Sequence, residues 1–433
     1  MTAGAAAGAA RQRTPKSRSS RSAGSDPEGA RPAVRPAAPP LEHRMLLTAT
    51  LCLLAFGAVM VYSASSPRDL VSGQGSGMSY LIRYLVYGLI GLAAMRVLAR
   101  RGLALLDPRI VTLMLVGSFV LLLLVLVPGF GLDISGARRW FALGPIQFQP
   151  SELMKLAIVL YVARFLADHP KRVKSFSQAI VPVALIAGPA CLLIVAEPDL
   201  GTTLVVAFAV GALLLASGVP MRHLAILAGI GVICVLVLAL AQPYQRVRLT
   251  AFLHPSASTS ASPAAYQSFQ GQIAIGSGGL FGVGIGQGVQ KAFYLPEAQT
   301  DFILAVIGEE LGVLGIFGLV CLYAMIAWSG LRIARRARTR YAKLLASGLT
   351  SLILCQAALN IFVVLGLAPL TGVPLPFISY APTNLCIVLA SVGLLLNISS
   401  PGGPRLQVVG TSRRDSAADR DRRRRGRGGT RRQ

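Results

Sequence analysis

Three carboxylates lie at or just inside one end of a long apolar segment of this chain. Asp301 precedes the apolar residues 302–308, and Glu309 and Glu310 follow them. Ionisable groups at such depth in a membrane helix are costly, and they usually face a bundle interior or a water-filled cavity where they serve a function. A carboxylate in such a cavity can act as a general base. Chemistry is therefore expected in residues 294–310.

Asp301 also has a simpler interpretation. At the start of an apolar helix it could serve only as an N-terminal cap or as a partner of the helix dipole. On a helix, Glu309 would lie about 80° round from Asp301, whereas Glu310 would lie about 180° away. Glu309 is thus predicted to line the same cavity as Asp301.

Further polar residues are expected to reach the same side of the membrane, and these are Arg138, Glu152, Lys155 and Asp199. Each has a structural alternative. Glu152 and Lys155 could simply pair at i and i+3 on a helix. Arg138 could anchor the chain at the membrane interface, and Asp199 could cap a helix. Together, a mixed set of acids and bases suits a phosphorylated, sugar-bearing lipid, with cations for the pyrophosphate and a carboxylate for proton transfer.

The elements that must position these residues follow from the composition. With 54% hydrophobic and 14% charged residues, and a mean hydropathy of +0.62, the chain is too apolar for a soluble globular protein. Ten apolar segments are each near the roughly 20 residues that cross a bilayer as a helix. They are residues 45–62, 80–97, 110–127, 153–166, 179–196, 200–217, 224–241, 302–328, 344–367 and 373–398. An all-α polytopic membrane protein with about ten transmembrane helices is predicted, and 153–166 is its weakest span.

The basic residues predict the orientation. With ten spans and a cytoplasmic N-terminus, the cytoplasmic loops hold fifteen Lys and Arg residues and the external side holds eight, as the positive-inside rule requires. Both termini are then cytoplasmic, and the largest external loop is 242–300, between helices 7 and 8. The chain divides into a disordered basic tail (1–44), a membrane domain (45–400) and a disordered Arg-rich tail (401–433).

Two other patterns are less informative. The tails are expected to lie against anionic lipid rather than nucleic acid, because no recognition fold accompanies their charge. The Gly-rich residues 276–288 loosely match a dinucleotide fingerprint, but no strand is predicted before them. A flexible or tightly turned loop that allows close backbone approach to a ligand is the simpler interpretation.

Several segments resemble motifs of the SEDS family (shape, elongation, division and sporulation proteins), which contains FtsW, RodA and SpoVE. The resemblance covers roughly residues 45–400. It is carried, in the expected order, by residues 136–140, 149–155, 197–202, 275–279, 295–302, 308–312 and 369–377.

The resemblance implies a ten-helix peptidoglycan glycosyltransferase that polymerises lipid II at the outer face of the plasma membrane during cell division or sporulation. The family's catalytic aspartate falls on Asp301. As general base it would deprotonate the 4-hydroxyl of the acceptor N-acetylglucosamine for inverting attack on the donor. The substrate-binding residues would be Arg138, Glu152, Lys155, Asp199 and Glu309.

The resemblance also implies partners and a location. A class B penicillin-binding protein (a transpeptidase) and other divisome proteins are expected at the division septum. A divalent cation, Mg²⁺ or Mn²⁺, would bridge the pyrophosphate, and no organic cofactor is expected. The metal ligands are not defined by the sequence. Residues 290–296 favour the division-type FtsW branch, because they lack the extra residues that elongation-type members carry there.

Two departures from the family pattern keep other functions open. Gln299 stands where many members have His, and Ala381-Pro382 replaces a usual Gly-Gly. The second change predicts that the last helix starts or kinks differently. A lipid II flippase remains an alternative, since ten helices with buried charges suit transport equally well. A non-catalytic scaffold that recruits a class B transpeptidase is the other.

Overall fold

The computed structural model describes residues 40–71, 78–134, 137–143, 146–253 and 262–400. Within these ranges the fold is helical apart from one small sheet. The predicted tail 401–433 lies outside the described residues, and so does the predicted tail 1–44 up to residue 39. Residues 41–44 belong to the first helix, which therefore begins earlier than predicted.

The described chain forms long helices that cross a bundle in alternating directions, together with shorter helices and three strands. They are α1 (Leu41–Val71), α2 (Met78–Leu105), α3 (Pro108–Leu126), β1 (Leu132–Ile134), β2 (Ala137–Leu143), β3 (Ile146–Phe148), α4 (Pro150–Asp168), α5 (Phe176–Ala196), α6 (Leu200–Ser217), α7 (Met221–Ala241), α8 (Pro243–Leu253), α9 (Pro263–Gly278), α10 (Gln290–Phe293), α11 (Ile303–Arg336), α12 (Arg340–Val364) and α13 (Pro382–Ser399). A short 3₁₀ turn, Arg172–Lys174, joins α4 to α5.

Nine of the described helices are long and apolar enough to cross a membrane, by length and composition: α1, α2, α3, α5, α6, α7, α11, α12 and α13. The tenth long helix, α4, has 19 residues but carries Glu152, Lys155 and Arg164. It packs between α3, α6 and α12, and Glu152 and Lys155 are buried there, each 2% exposed. The predicted all-α polytopic fold is confirmed, with α4 as its most polar member.

Connections at the predicted outer end of the bundle carry most of the irregular structure. The strands form an antiparallel meander in which Leu132 pairs with Trp140 and Phe141 with Phe148. The predicted large loop 242–300 is partly helical and contains α8, α9 and α10. Ser262 caps α9 by accepting a hydrogen bond from the Ala265 amide at 3.2 Å, and α9 packs along α11.

Helix α11 is broken at Gly312, whose φ of 66° and ψ of −163° are not helical. The Gly-rich segment covers the break. The Val283 amide donates to the Glu309 carbonyl at 3.0 Å, and the Val313 amide donates to the Gly279 carbonyl at 3.0 Å. In a bilayer, backbone groups freed by such a break need partners inside the protein. The Gly-rich segment was predicted to bring its backbone close to a ligand. In the structure its backbone lies close to that of the broken helix α11 instead.

A buried ion pair fixes the same region. Lys291 of α10 pairs with Glu310 of α11, and both side chains are inaccessible to solvent. Ser63 of α1 donates to the two carboxylate oxygens of Glu310 at 2.7 and 2.8 Å. Three helices are thus joined by one polar cluster inside the bundle, where separating the charges would leave them without solvation.

Candidate active site

A cavity of about 1060 Å³ lies at the predicted outer end of the bundle. Its wall is drawn from the starts of α2, α4, α6 and α9, from β2 and β3, from α8, and from the segments before α11 and α13. The acids that line it are Glu152, Asp199, Glu297 and Asp301. The arginines are Arg83, Arg139 and Arg248, and the aromatic residues are Tyr80, Trp140, Tyr244 and Tyr380.

Asp301 lies two residues before α11 and is half-buried. The N-cap of α11 is Phe302, without a side-chain capping bond, so Asp301 is not the helix cap. Gly372 approaches it from the opposite segment. A Cβ on Gly372 would lie 3.2 Å from Asp301 Oδ2 and 3.9 Å from Arg248 Nη1, so the carboxylate and the guanidinium flank the same point of the backbone.

The electrostatics of the cavity raise the pKa of Asp301 to about 6. Burial is the largest cause, and the neighbouring Glu297 carboxylate adds to it, while Arg248 and Arg139 act in the opposite direction. A general base works best when its pKa lies near the working pH. Asp301 is therefore suited to accept a proton at near-neutral pH.

Arg248 was missed in the sequence, because residues 242–300 gave no element on which to place it. It lies on α8, donates to the Leu370 carbonyl at 3.2 Å, and its guanidinium lies 4.4 Å from the centre of the Tyr244 ring. Burial lowers its pKa, an effect that Tyr244 and Asp301 oppose. Its second terminal nitrogen donates to the Tyr244 hydroxyl, and since a guanidinium has five N–H donors, others remain for an anionic ligand.

Of the two neighbouring arginines before α4, Arg139 lines the cavity and Arg138 does not. Arg139 donates to the carbonyl oxygens of Glu197 and Pro198, at 2.7 and 2.6 Å. No strand was predicted here, so the sequence could not tell which of the two side chains faces inward. The predicted binding role of Arg138 stays a prediction, and the cavity itself offers Arg139.

Asp199 caps a helix and also lines the cavity, and its predicted role in substrate binding stays a prediction. Its side chain accepts a hydrogen bond from the Thr202 amide at 2.9 Å, which caps α6. It also lines the cavity, where Gln149 donates to its second oxygen at 3.3 Å. The capping interpretation is thus confirmed without removing the residue from the cavity wall.

Glu152 and Lys155 form the predicted pair, with Nζ and Oε1 2.9 Å apart and both side chains 2% exposed. Glu152 reaches the cavity. Lys155 lies behind it and donates to Gln356 Oε1 at 3.0 Å. The second oxygen of Glu152 is buried without a hydrogen-bond partner, so this oxygen can still accept a hydrogen bond at the cavity wall.

Glu309 does not line the cavity with Asp301. Its Oε1 accepts hydrogen bonds from the amides of Val289 and Gln290, at 2.8 and 3.1 Å. The helical angle used for the prediction does not apply, because α11 begins only at Ile303 and Asp301 precedes it. Among the described contacts, Glu309 holds the start of α10 against α11.

The turn before α6 contains a second unusual carboxyl group. Glu197 is fully buried, and neither of its oxygens has a hydrogen-bond partner. Burial, aided by Asp199 and opposed by Arg139, raises its pKa to about 9. Glu197 is therefore protonated at neutral pH, whereas a pKa of about 6 leaves the Asp301 carboxyl largely ionised there.

The Ala381-Pro382 departure falls at the N-terminal end of α13, which begins at Pro382. Pro382 occupies the first turn of α13, where its missing amide hydrogen would have no helical partner. Ala381 has a φ of −143°, a value that needs no glycine. Thr383 accepts from the Gln149 amide at 3.2 Å, so this segment joins the cavity wall.

The fold and the cavity define an integral membrane protein with a large cavity, lined by acids and arginines, at one end of its helix bundle. A family model described as "Cell cycle protein" (FtsW, RodA and SpoVE) matches residues 43–401. The chain belongs to this family, as its motifs predicted.

Named relatives cover nearly the whole membrane domain. Stage V sporulation protein E of Bacillus subtilis is 39% identical over 355 residues, which span 82% of this chain and 96% of the relative. A probable peptidoglycan glycosyltransferase FtsW of a Geobacter species is 38% identical over 359 residues, with the same coverage of 82% and 96%.

Solved structures agree with the fold. A chain from a peptidoglycan synthase complex, in which polymerization and crosslinking are structurally coordinated, is 31% identical with a TM-score of 0.65. It covers 82% of this chain and 96% of that chain. The rod shape determining protein RodA of Thermus thermophilus is 30% identical with a TM-score of 0.58, covering 82% of this chain and 95% of RodA.

Proposed function

We propose that this chain polymerises lipid II in the cavity at the outer end of the bundle, with Asp301 as the general base. The chain is a peptidoglycan glycosyltransferase, the activity carried in the names of its FtsW relatives. One observation supports the proposed site above the others: Asp301, with a pKa of about 6, shares one cavity with three arginines.

The proposed reaction is a single displacement. Asp301 accepts the proton of the acceptor's 4-hydroxyl, whose oxygen bonds to the anomeric carbon of the donor sugar. The bond from that carbon to the pyrophosphate oxygen breaks, and the lipid pyrophosphate leaves with the electron pair. Attack opposite the leaving group converts an α-linked donor into a β-linked product.

The arginines of the cavity supply the charge that this displacement needs. Arg139 and Arg248 lie on the same wall as Asp301, and both act on its pKa. Guanidinium groups bind phosphate oxygens through paired hydrogen bonds and stabilise negative charge as it develops on a leaving group. Lys155 lies behind Glu152 and adds a positive charge near the part of the cavity wall that Glu152 forms.

A divalent cation would be held mainly by the substrate. Among the residues that the structure describes, no three His, Cys, Asp or Glu side chains gather into a metal site. Mg²⁺ is commonly bound by one or two carboxylates plus phosphate oxygens. Carboxylates at the cavity wall would complete its coordination, and the ion would neutralise pyrophosphate charge.

The proposal extends to partner and location. A relative of this fold is a chain of a peptidoglycan synthase complex, which supports a class B transpeptidase as the partner of this chain too. Other divisome proteins and the division septum follow from the FtsW resemblance. The orientation with both termini cytoplasmic rests on the positive-inside rule.

Lipid II transport is the second candidate, favoured by the break in α11 and the ion pair beside it. Discontinuous helices near buried charges are frequent in transporters. Transport does not require a base at Asp301, so substitution of Asp301 separates polymerisation from transport.

The test uses the purified full chain with its transpeptidase partner, lipid II and Mg²⁺ or Mn²⁺. Wild-type protein is expected to make glycan chains, and Asp301→Asn to make none. The matched control is Asp107→Asn, because Asp107 is exposed at the other end of the bundle and makes no capping bond. Equal products from wild type and Asp301→Asn contradict the role of the aspartate.

The remaining outcomes identify the alternatives. Lipid II that crosses a liposome membrane without chain formation supports the flippase. If the chain neither polymerises nor moves lipid II but increases crosslinking by its partner, it is a scaffold.

A further inference from the structure

We propose that Gln356 and Asn360, two uncharged residues of α12, are positioning residues that align Asp301 with the Glu152–Lys155 pair across the cavity. This inference rests on the proposed function, because it assigns the two amides to the same reaction. Both side chains are almost fully buried, at 1% and 2% exposure. They lie one helical turn apart, so they share one face of α12.

Asn360 holds the segment that carries the base. Its Nδ2 donates to the backbone carbonyl of Asp301 at 2.8 Å. The same nitrogen donates to the Val373 carbonyl at 2.8 Å. Val373 follows Gly372, where a Cβ would lie 3.2 Å from Asp301 Oδ2. Asn360 therefore fixes the distance between the two backbone segments that enclose the carboxylate.

Gln356 holds the other side of the cavity. Its Oε1 accepts from Lys155 Nζ at 3.0 Å, and Lys155 in turn pairs with Glu152 at the wall. Its Nε2 donates to the Pro374 carbonyl at 3.0 Å and to Asn384 Oδ1 at 2.9 Å. Gln356 thus fixes the direction in which the ammonium group points.

The two amides meet on adjacent residues of one loop. Asn360 binds the carbonyl of Val373 and Gln356 binds the carbonyl of Pro374, so α12 and this loop form a shared frame. The base is attached to one end of the frame and the ion pair to the other. A shift of about 1 Å in such a frame can cost a reaction about a hundredfold in rate.

The two residues should affect different kinetic constants. Asn360 acts through Asp301, whose proton transfer occurs only in the transition state, so its loss lowers kcat. Gln356 acts through Lys155 on Glu152, the member of the pair that lines the cavity. A wall contact made equally in the ground and transition states raises KM when it is lost. A residue needed only for folding would lower the apparent kcat through the amount of folded protein and leave KM unchanged, so each kcat is expressed per folded molecule, measured as the monodisperse fraction of the purified protein.

The experiment compares near-isosteric variants of the full chain in the lipid II polymerisation assay. Asn360→Leu is expected to lower kcat by about tenfold to a hundredfold and to change KM by less than about twofold. Gln356→Met is expected to raise KM by about tenfold. Gln356→Glu keeps an acceptor for Lys155 but loses the donors to Pro374 and Asn384, so its KM is expected to lie between those of the wild type and Gln356→Met.

Asn397→Leu is the matched control. Asn397 is also 2% exposed and bridges backbone groups, donating to the Ala99 carbonyl at 2.9 Å and accepting from the Leu103 amide at 3.2 Å. It lies at the opposite end of the bundle. Its substitution is expected to lower the melting temperature as much as Asn360→Leu does, while kcat and KM of the folded protein remain unchanged.

Two results overturn the inference. One is that kcat and KM change together in Asn360→Leu and Gln356→Met. The other is that Asn397→Leu loses as much activity as Asn360→Leu at equal melting temperature. If the wild-type chain makes no product at all, the proposed function fails first, and this inference fails with it.

Discussion

At the scale of single residues, the charge on Asp301 decides when the site can work. Its pKa of about 6 results from burial and from Glu297, against Arg248 and Arg139. The base must be ionised to accept a proton, so the rate should fall about tenfold per pH unit below pH 6 and level off above it.

Glu297→Gln tests this electrostatic balance. Removing a neighbouring negative charge lowers the pKa of Asp301, so the acidic limb of kcat against pH is expected to move to lower pH. The measurement is the initial rate of glycan synthesis between about pH 5 and 8, with Asp107→Asn as the control. A limb that stays in place or moves to higher pH contradicts Asp301 as the titrating base.

The sequence identified some of these residues and not others, for physical reasons. Asp301 was predictable because a carboxylate beside an apolar span is costly. Gln356 and Asn360 carry no charge and lie inside an apolar run, so nothing in their spacing distinguished them from core residues. Arg248 was hidden because the helix that carries it has no apolar periodicity, and burial there comes from tertiary packing.

At the scale of elements, the Gly-rich segment is a structural partner of the broken helix. Gly282 has a φ of 78°, and a Cβ on it would overlap the Glu310 carbonyl. Gly282→Ala should therefore separate the segment from α11 and destabilise the protein by more than about 1 kcal/mol. The measurement is thermal unfolding in detergent.

Gly276→Ala is the matched control for that prediction. Gly276 lies inside α9, and a Cβ there would meet nothing within 4 Å. Alanine is favoured over glycine in a helix by about 0.5–1 kcal/mol, so this variant should be as stable as the wild type or more stable. Equal destabilisation by the two substitutions contradicts the pairing between segment and helix.

The buried pair between α10 and α11 allows a second test at this scale. Removing one partner, as in Lys291→Met, leaves Glu310 charged and buried, which typically costs about 3–5 kcal/mol. The double variant Lys291→Met/Glu310→Met removes both charges and is expected to recover most of that loss. Unfolding midpoints of the two single variants and the double variant check this, and a double variant worse than either single one contradicts it.

The break in α11 could not be predicted, because one glycine inside a helical pattern is commonly tolerated. Gly312 differs only through its surroundings, where Leu280 and Gly282 approach its backbone. The start of α13 could have been predicted better. Proline favours the first position of a helix, and α13 begins at Pro382.

At the scale of the whole molecule, hydropathy predicted the bundle well because lipid enforces it. A span must satisfy its backbone internally and expose apolar side chains, so each apolar run indicates one helix. Helix α4 is the informative exception. Its buried charges, Glu152 and Lys155, are tolerated because they pair inside the bundle, and burial among other helices cannot be read from one segment.

The predicted orientation can be tested on intact cells. Gln147→Cys adds a thiol at the rim of the cavity, and Arg338→Cys adds one between α11 and α12. A membrane-impermeant maleimide should label the first variant in intact cells and the second only after permeabilisation. The six native cysteines lie in apolar segments, and the unsubstituted chain measures their background. The reverse pattern contradicts cytoplasmic termini.

Helix α7 shows how unevenly such a bundle constrains its own evolution. Of its 21 residues, the buried ones are His223 and Ala239, so lipid contacts most of its surface. Natural selection can then act on the mean hydropathy of the segment rather than on individual side chains. We expect α7 to accumulate exchanges among leucine, isoleucine and valine freely, while α12, with buried positions along its length, changes slowly.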